Sequence, residues 1–195
     1  MINYYIVLEK ILKEAFDPYY DAPIESWKKF ADLCEQVSFR KNQTIKEANT
    51  RASHGYFLLQ GVVGSFVWKK NTHACLDIFL ENSFFADDYS LATGKSSPLE
   101  IIALEKTSLL QLSKGNIVEL QKTPIGKMLF LIGEQQDNAK KQERQIGLMT
   151  KTAEERYLEI LENRPELLKR VSQKHIASFL GITTQSLSRI RRKFR

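Results

Sequence analysis

The segment from Ser172 to Arg195 constrains the fold most: two short apolar stripes flank a glycine, and the second stripe is interleaved with cations. Ser172 is placed to cap a helix in which Ile176, Phe179 and Leu180 fall at i, i+3 and i+4. One face is then buried, and Lys174, His175 and Ser178 face outward. Gly181 ends that helix in a left-handed conformation, Ile182 plugs the corner, and Thr183 caps a second helix. The second helix packs through Leu187, Ile190 and Phe194 and presents Thr184, Gln185, Ser188, Arg189 and Arg192 on its free face. This division of faces matches a helix-turn-helix, whose second helix reads base edges and phosphates in a major groove. The competing reading is a solvated C-terminal hairpin whose cationic end favours the helix dipole.

Charge follows the same division. From Lys140 onward there are 14 Lys/Arg against 6 Asp/Glu, and before it 15 against 17, so the net charge of +6 arises in the C-terminal part. At 195 residues and 43% hydrophobic content the chain can bury a proper core in one or two domains. No apolar run reaches a membrane span and the N-terminus does not look like a secretory signal, so a cytoplasmic protein without a membrane partner is expected. Cys34 and Cys75 are too few for a disulfide scaffold or a four-thiolate cluster and are expected as buried free thiols. His54, His73 and His175 lack metal-ligand spacing, so surface or capping roles are expected and no metal is assigned. No nucleophile–base set or glycine-rich phosphate loop appears. Asp87 and Asp88 are adjacent, so in a strand they would point to opposite faces, and enzymatic turnover is not expected.

Between Val37 and Leu112 the texture is that of strands, with short runs at 37–40, 55–59, 62–68, 75–80, 99–104 and 108–112. Turn chemistry separates them at Lys70-Asn71, Glu81-Asn82-Ser83 and Gly94 to Pro98, and strands at this spacing suggest a sandwich or small barrel. Pro23 to Glu35 precedes them as a helix with Ile24, Trp27, Phe30, Ala31 and Leu33 on its apolar face. From Pro124 a long helix carries Met128, Ile132, Gln135, Ala139, Gln142, Ile146 and Met149 in alternating steps of four and three, the seam of a two-stranded coiled coil. A homodimer follows. One amphipathic helix lying on its own barrel is the alternative. Thr152-Ala-Glu-Glu155 is a capping box that opens a further helix, with Tyr157, Ile160 and Leu161 packing inward and an end near Arg164-Pro165. The hinge falls at Met149 to Thr152.

A β-roll, a long dimerisation helix and a helix-turn-helix, in that order, resemble the Crp-Fnr family of bacterial transcription regulators over nearly the whole chain. The stretch from Ala153 to Arg192 resembles one branch of that family very closely. The resemblance implies an α+β chain. Its parts are an N-terminal double-stranded β-helix of the jelly-roll-like cyclic-nucleotide-binding kind, a long dimerisation helix, and a C-terminal helix-turn-helix domain of winged-helix type. It divides the chain into 1–122, 123–151 and 152–195. It also implies that Thr184, Gln185 and Arg189 read bases and that Ser172 and Lys174 meet phosphates; Ser188, on the same free face, is added to the expected base readers, and Arg191 and Arg192 of the basic end to the expected phosphate contacts. Double-stranded DNA and RNA polymerase are the partners it implies.

The effector stretch departs from the pattern. Cyclic-nucleotide-binding members carry a Gly-Glu pair for the ribose hydroxyl and then an Arg-Ser or Arg-Thr pair for the cyclic phosphate. Here the stretch reads Phe84-Phe85-Ala86-Asp87-Asp88, then Ser96-Ser97-Pro98. Asp87 stands for the glutamate, but Ser97 and Pro98 replace the arginine and the hydroxyl residue. Without a guanidinium the phosphate loses a charge-assisted bidentate contact, so cyclic AMP is not expected to bind in the usual way. Lys95 is close in sequence, but a lysine needs a different loop geometry to serve that phosphate. An unidentified small-molecule effector and a structural relic both fit, and no cofactor is assigned. Relatives continue past the recognition helix into β structure where this sequence ends. Most DNA contacts are then expected from the helix pair, with Arg191, Arg192, Lys193 and Arg195 near the backbone and a strong salt dependence. The rival function is a small-molecule sensor acting through a protein partner, without specific DNA binding.

Overall fold

The computed structural model describes residues 2–69 and 72–194. Alternation governs the strands, and it is apolar on both sides where a sheet is covered on both faces. Along the strand at Thr107–Ser113, Leu109 points into the roll while Leu110 and Leu112 point outward under helices. Tyr56 and Leu58 likewise face inward from His54–Gln60, with Phe57 between them facing out.

Among the described residues eight strands form the roll: β1 (Glu35–Phe39), β2 (Thr44–Lys46), β3 (His54–Gln60), β4 (Val63–Lys69), β5 (Thr72–Phe79), β6 (Phe84–Ala86), β7 (Leu99–Ala103) and β8 (Thr107–Ser113). They make two four-stranded antiparallel sheets, ordered β1-β8-β3-β6 and β2-β7-β4-β5. In the second sheet β5 is an edge strand, which matters below. Tyr56, Leu58, Val63, Phe85, Ile101 and Leu109 fill the space between the sheets.

Outside the first sheet, α1 (Ile2–Phe16), α2 (Ile24–Asp32), α4 (Lys114–Gln121) and the start of α5 (Pro124–Thr150) cover Phe57, Leu110 and Leu112 with Leu12, Trp27, Phe30, Leu120 and Leu129. Thr123 caps α5 and Pro124 opens it. A Cβ on Gly126 would lie 1.8 Å from the Leu120 carbonyl oxygen, so glycine is what lets α5 begin against the end of α4. A short α3 (Asp88–Thr93) sits between β6 and β7. Beyond α5 come α6 (Ala153–Asn163), α7 (Pro165–Arg170), α8 (Gln173–Phe179) and α9 (Thr184–Lys193), packed around Tyr157, Ile160, Leu167, Ile176, Leu180, Leu187 and Ile190.

The expected α+β order stands, and the differences have local causes. β2 and β6 are three residues each, too short for a period of two to show. The helix of α2 stops at Asp32, because Glu35 already pairs with Gln111 in β1–β8. Pro165 starts α7 rather than ending the chain of helices, its missing N–H falling among donors that have no helical partner anyway. Leu161 is exposed, not inward. The Lys70-Asn71 turn and Arg195 lie outside the described residues. Cys75 is buried and Cys34 partly so, both as free thiols, and burial pushes each up to about 12.

Candidate nucleic-acid interface and effector pocket

Each helix of the C-terminal pair starts at a hydroxyl cap. Ser172 Oγ accepts the His175 amide and Thr183 Oγ1 accepts the Ser186 amide. Between them, Gly181 takes φ +71°, its N–H donates to the Ser178 carbonyl, and the Ile182 N–H donates to the Ala177 carbonyl. This is the Schellman closure, which satisfies two end carbonyls and turns the chain sharply. Ile182 packs on the core at the corner, as expected. Leu187 and Ile190 bury one face of α9, while Thr184, Gln185, Ser188, Arg189 and Arg192 are exposed together on the other; Arg191 is half-buried. Phe194 is stacked on Tyr157 but remains partly exposed. Ser172 and Lys174 are exposed at the start of α8. A shallow groove lined by Thr152, Glu154, Arg189 and Lys193 adjoins this face, with Lys193 paired to Glu154 at 2.9 Å.

Two residues of α8 depart from expectation. Ser178 does not face solvent: its hydroxyl accepts the Cys75 amide at 2.8 Å and donates to the His73 carbonyl at 3.2 Å, both on β5. His175 is half-buried with its ring 5.0 Å from Phe66, and that burial lowers its pKa. The reason is tertiary: the polar side of α8 is docked on the roll.

The capping box at Thr152 and Glu155 is formed, and Lys151 before it is extended, which places the break between α5 and α6 inside the expected hinge. Along α5, Met128, Gln135, Ala139, Gln142, Ile146 and Met149 are exposed and Ile132 partly so; Met149 is 81% exposed.

In the effector stretch, Asp87 and Ser97 come together, joined by a residue the sequence did not single out. Lys46 of β2 reaches Asp87 Oδ2 at 2.8 Å, with the two side chains 6% and 2% exposed. The ammonium also donates to Ser97 Oγ at 3.1 Å, to the Ser97 carbonyl at 3.3 Å and to the Leu99 carbonyl at 2.7 Å. The Ser97 hydroxyl donates to the same Asp87 oxygen, and Asp87 Oδ1 accepts the Ser90 amide as the cap of α3. Asp87 is therefore a helix cap and not a strand residue. Asp88 is exposed and pairs with Lys141 of α5. Phe85 stacks on Tyr56 and Phe79 inside the roll, Ala86 is half-buried, and Ser96, Pro98 and Lys95 are exposed; of these, Lys95 joins the polar cluster through its carbonyl, which accepts the Ser90 hydroxyl at 2.6 Å. A lone lysine in a three-residue strand carries no sequence signal for this role. Among the described residues there is no group of His, Cys, Asp and Glu that could hold a metal ion and no helix long and apolar enough to cross a membrane.

Residues 36–123 match the family described as the cyclic nucleotide-binding domain. Three solved structures extend the likeness beyond it. FixK2 from Bradyrhizobium japonicum is 20% identical with a TM-score of 0.70, covering 83% of this chain and 84% of that one. The c-di-GMP responsive global regulator CLP of Xanthomonas campestris is 16% identical with a TM-score of 0.69, covering 88% and 91%. A CooA mutant from Carboxydothermus hydrogenoformans is 18% identical with a TM-score of 0.66, covering 94% and 83%. All three are Crp-Fnr family regulators, and the fold seen here is theirs. No curated protein sequence matches the chain.

Proposed function

We propose that the chain is a homodimeric, sequence-specific DNA-binding transcription regulator of the Crp-Fnr type, with an effector domain at 1–122, a dimerisation helix and hinge at 123–151 and a DNA-binding domain at 152–195. The observation that carries this reading is the division of α9. Leu187 and Ile190 are buried, whereas Thr184, Gln185, Ser188 and Arg189 stand exposed on one face beside the exposed start of α8. Thr184, Gln185, Ser188 and Arg189 read base edges; Ser172, Lys174, Arg191 and Arg192 meet phosphates. The exposed seam of α5 supplies the two-fold partner that a palindromic duplex site requires. The three neighbours are regulators, which supports a regulatory reading of this chain.

The effector site is degenerate. Lys46 supplies the cation, but it is consumed internally by Asp87 and by three oxygens of Ser97 and Leu99. The Lys46 ammonium is thus not free for a nucleotide phosphate, and cyclic AMP does not bind in the usual way.

Selection of genomic duplex fragments by the purified protein, with and without cyclic AMP, tests both parts. Enrichment of a palindrome with half-sites about one helical turn apart, indifferent to the nucleotide, is the expected result. Arg189→Ala should weaken specific binding by about 1–3 kcal/mol if that side chain reads a guanine. No enrichment under either condition overturns the DNA reading in favour of a sensor acting through a protein partner. Dependence on cyclic AMP overturns the degenerate site.

A further inference from the structure

We propose that the outer edge of β5 is a second anchor for the helix-turn-helix, and that Ser178, Arg164 and Arg170 are positioning residues fixing the angle at which each protomer presents α9 to DNA. The inference rests on the DNA-binding reading above and goes beyond it.

An edge strand leaves a row of backbone donors and acceptors without a neighbouring strand. On β5 that row is taken up by the C-terminal helices and by α5. Ser178 Oγ bridges the Cys75 amide and the His73 carbonyl, acting as a neighbouring strand would. Arg164 donates to the Ile78 carbonyl at 2.7 Å. Arg144 of α5 donates to the carbonyls of Cys75 at 3.2 Å and Phe179 at 3.0 Å, with its guanidinium 4.0 Å from the Phe179 ring centre. Just past the end of β5, Arg170 binds both oxygens of Glu81, at 2.8 and 2.6 Å, and also Glu105. Beneath these contacts Val62, Phe66, Cys75, Ile78 and Leu104 of the roll share one apolar cluster with Ile176, Ala177 and Leu180.

The other attachment is the extended break at Lys151, a single point about which a domain can swing. Arg156 ties that break to the corner of the helix pair by donating to the carbonyls of Lys151 and Leu180, but it does not reach the roll. With the β5 edge engaged as well, the domain has two points of attachment and one orientation. In that orientation the base-reading face of α9 and the start of α8 are both open to solvent, as contact with DNA requires.

The geometry of DNA makes this measurable. Each added base pair moves a half-site about 3.4 Å along and about 35° around the duplex, which a domain on one hinge can follow and a doubly anchored one cannot. The wild-type full-length protein should therefore prefer one half-site spacing sharply over spacings one base pair longer or shorter. Arg170→Gln and Ser178→Ala, which touch no proposed DNA contact, should reduce that preference about tenfold: the first removes charge-assisted contacts to Glu81 and Glu105, and the second takes the hydroxyl partner from the Cys75 amide and the His73 carbonyl.

Amide hydrogen exchange of the free protein gives a readout independent of DNA. The Cys75 amide should be protected in the wild type and exchange about tenfold faster in Arg170→Gln, a change distant from Cys75 that reaches it only through opening of the docked domain. An unprotected Cys75 amide in the wild type, or exchange and spacing preference both unchanged in the variants, overturns the proposal. So does a variant that binds its preferred site more tightly, because the contact would then be inhibitory. A protected Cys75 amide with no enrichment of any duplex by the wild type overturns the DNA reading, and with it the positioning role, while leaving the docking itself observed.

Discussion

Lys46→Met isolates the buried ion pair of the effector stretch, because methionine keeps much of the aliphatic stem and removes the charge. At the observed 2.8 Å, two unit charges attract by roughly 6 kcal/mol at an effective dielectric of about 20, against roughly 1.5 kcal/mol in bulk water. Exposures of 6% and 2% place the pair on the protein side of that range. Taking away one partner leaves the other charge buried, with Asp87 then held by only the Ser97 hydroxyl and the Ser90 amide. The expected loss is about 3–5 kcal/mol of stability, well above the roughly 1 kcal/mol that loss of the α3 cap alone would give. Asp87→Asn keeps an oxygen for the Ser90 amide and should lose a similar amount through the stranded ammonium. The double variant should lose clearly less than the two single losses together, since neither charge is then left alone. Urea unfolding of the four proteins, followed by circular dichroism, measures the cycle. A loss below about 1 kcal/mol for Lys46→Met would mean the pair is solvated, and an additive cycle would mean the two side chains do not act on each other; either refutes the reasoning.

The Arg170 guanidinium beside Glu81 holds that carboxyl down to about 2 from its ordinary 4.5. A depressed carboxylate stabilises the fold above its unfolded value, so this contribution should fade as pH falls from about 4.5 to about 2. Glu81→Gln should flatten the stability-versus-pH curve in that window; parallel curves for the two proteins would sink the assignment. Gly181→Ala should destabilise by about 1–2 kcal/mol. The nearest atom to an added Cβ is Leu148 Cδ2 at 3.7 Å, so the loss is conformational, and thermal unfolding showing no loss would contradict the left-handed turn. Ile146→Asp with Met149→Asp places charge on the exposed end of the α5 seam and should convert a dimer to a monomer in sedimentation equilibrium without changing helix content. A wild type that already sediments as a monomer removes the seam.

What could be read from the sequence is what is written locally. Thr152 with Glu155, Thr123 before Pro124, and Ser172, Gly181 and Thr183 are signals spanning three to ten residues, and each cap or turn forms where its residue type demands it. The long strands were visible for the same reason, since five to eight residues suffice to show alternation. The polar cluster was not visible, because Lys46 meets Ser97 across 51 positions and neither residue has a periodic or motif partner near it. Ser178 was misplaced on the solvent side by the same limitation. Its partner Cys75 lies 103 positions away, and helical periodicity says only that a face is polar, not that an edge strand will cover it. Sequence located the helix pair; only the fold supplied what holds it in place.

These two non-local features bear on how a regulator of this shape is controlled. An effector shifts a conformational equilibrium only as far as it binds two states differently. In the pocket stretch the groups that would make such a difference are already spent: Lys46, Asp87, Ser90 and Ser97 satisfy one another, with Ser90 also accepting the Ala52 amide and donating to the Lys95 carbonyl. An anion entering there must first separate the pair, at about 3–5 kcal/mol by the reasoning above, which lowers its apparent affinity by two to four orders of magnitude at about 1.4 kcal/mol per tenfold. The docked strip along β5 is built differently. Arg170, Glu81 and Glu105 are each about a third exposed, so these ion pairs are ones that water can reach, at the margin of the apolar cluster that roll and helices share. Separating them costs less than opening the core of the roll, because surface pairs are worth little once solvent competes for them. Under the DNA-binding reading proposed above, a second state in which α8 no longer rests on β5 breaks these pairs first, which makes that edge the point at which a signal is expected to act.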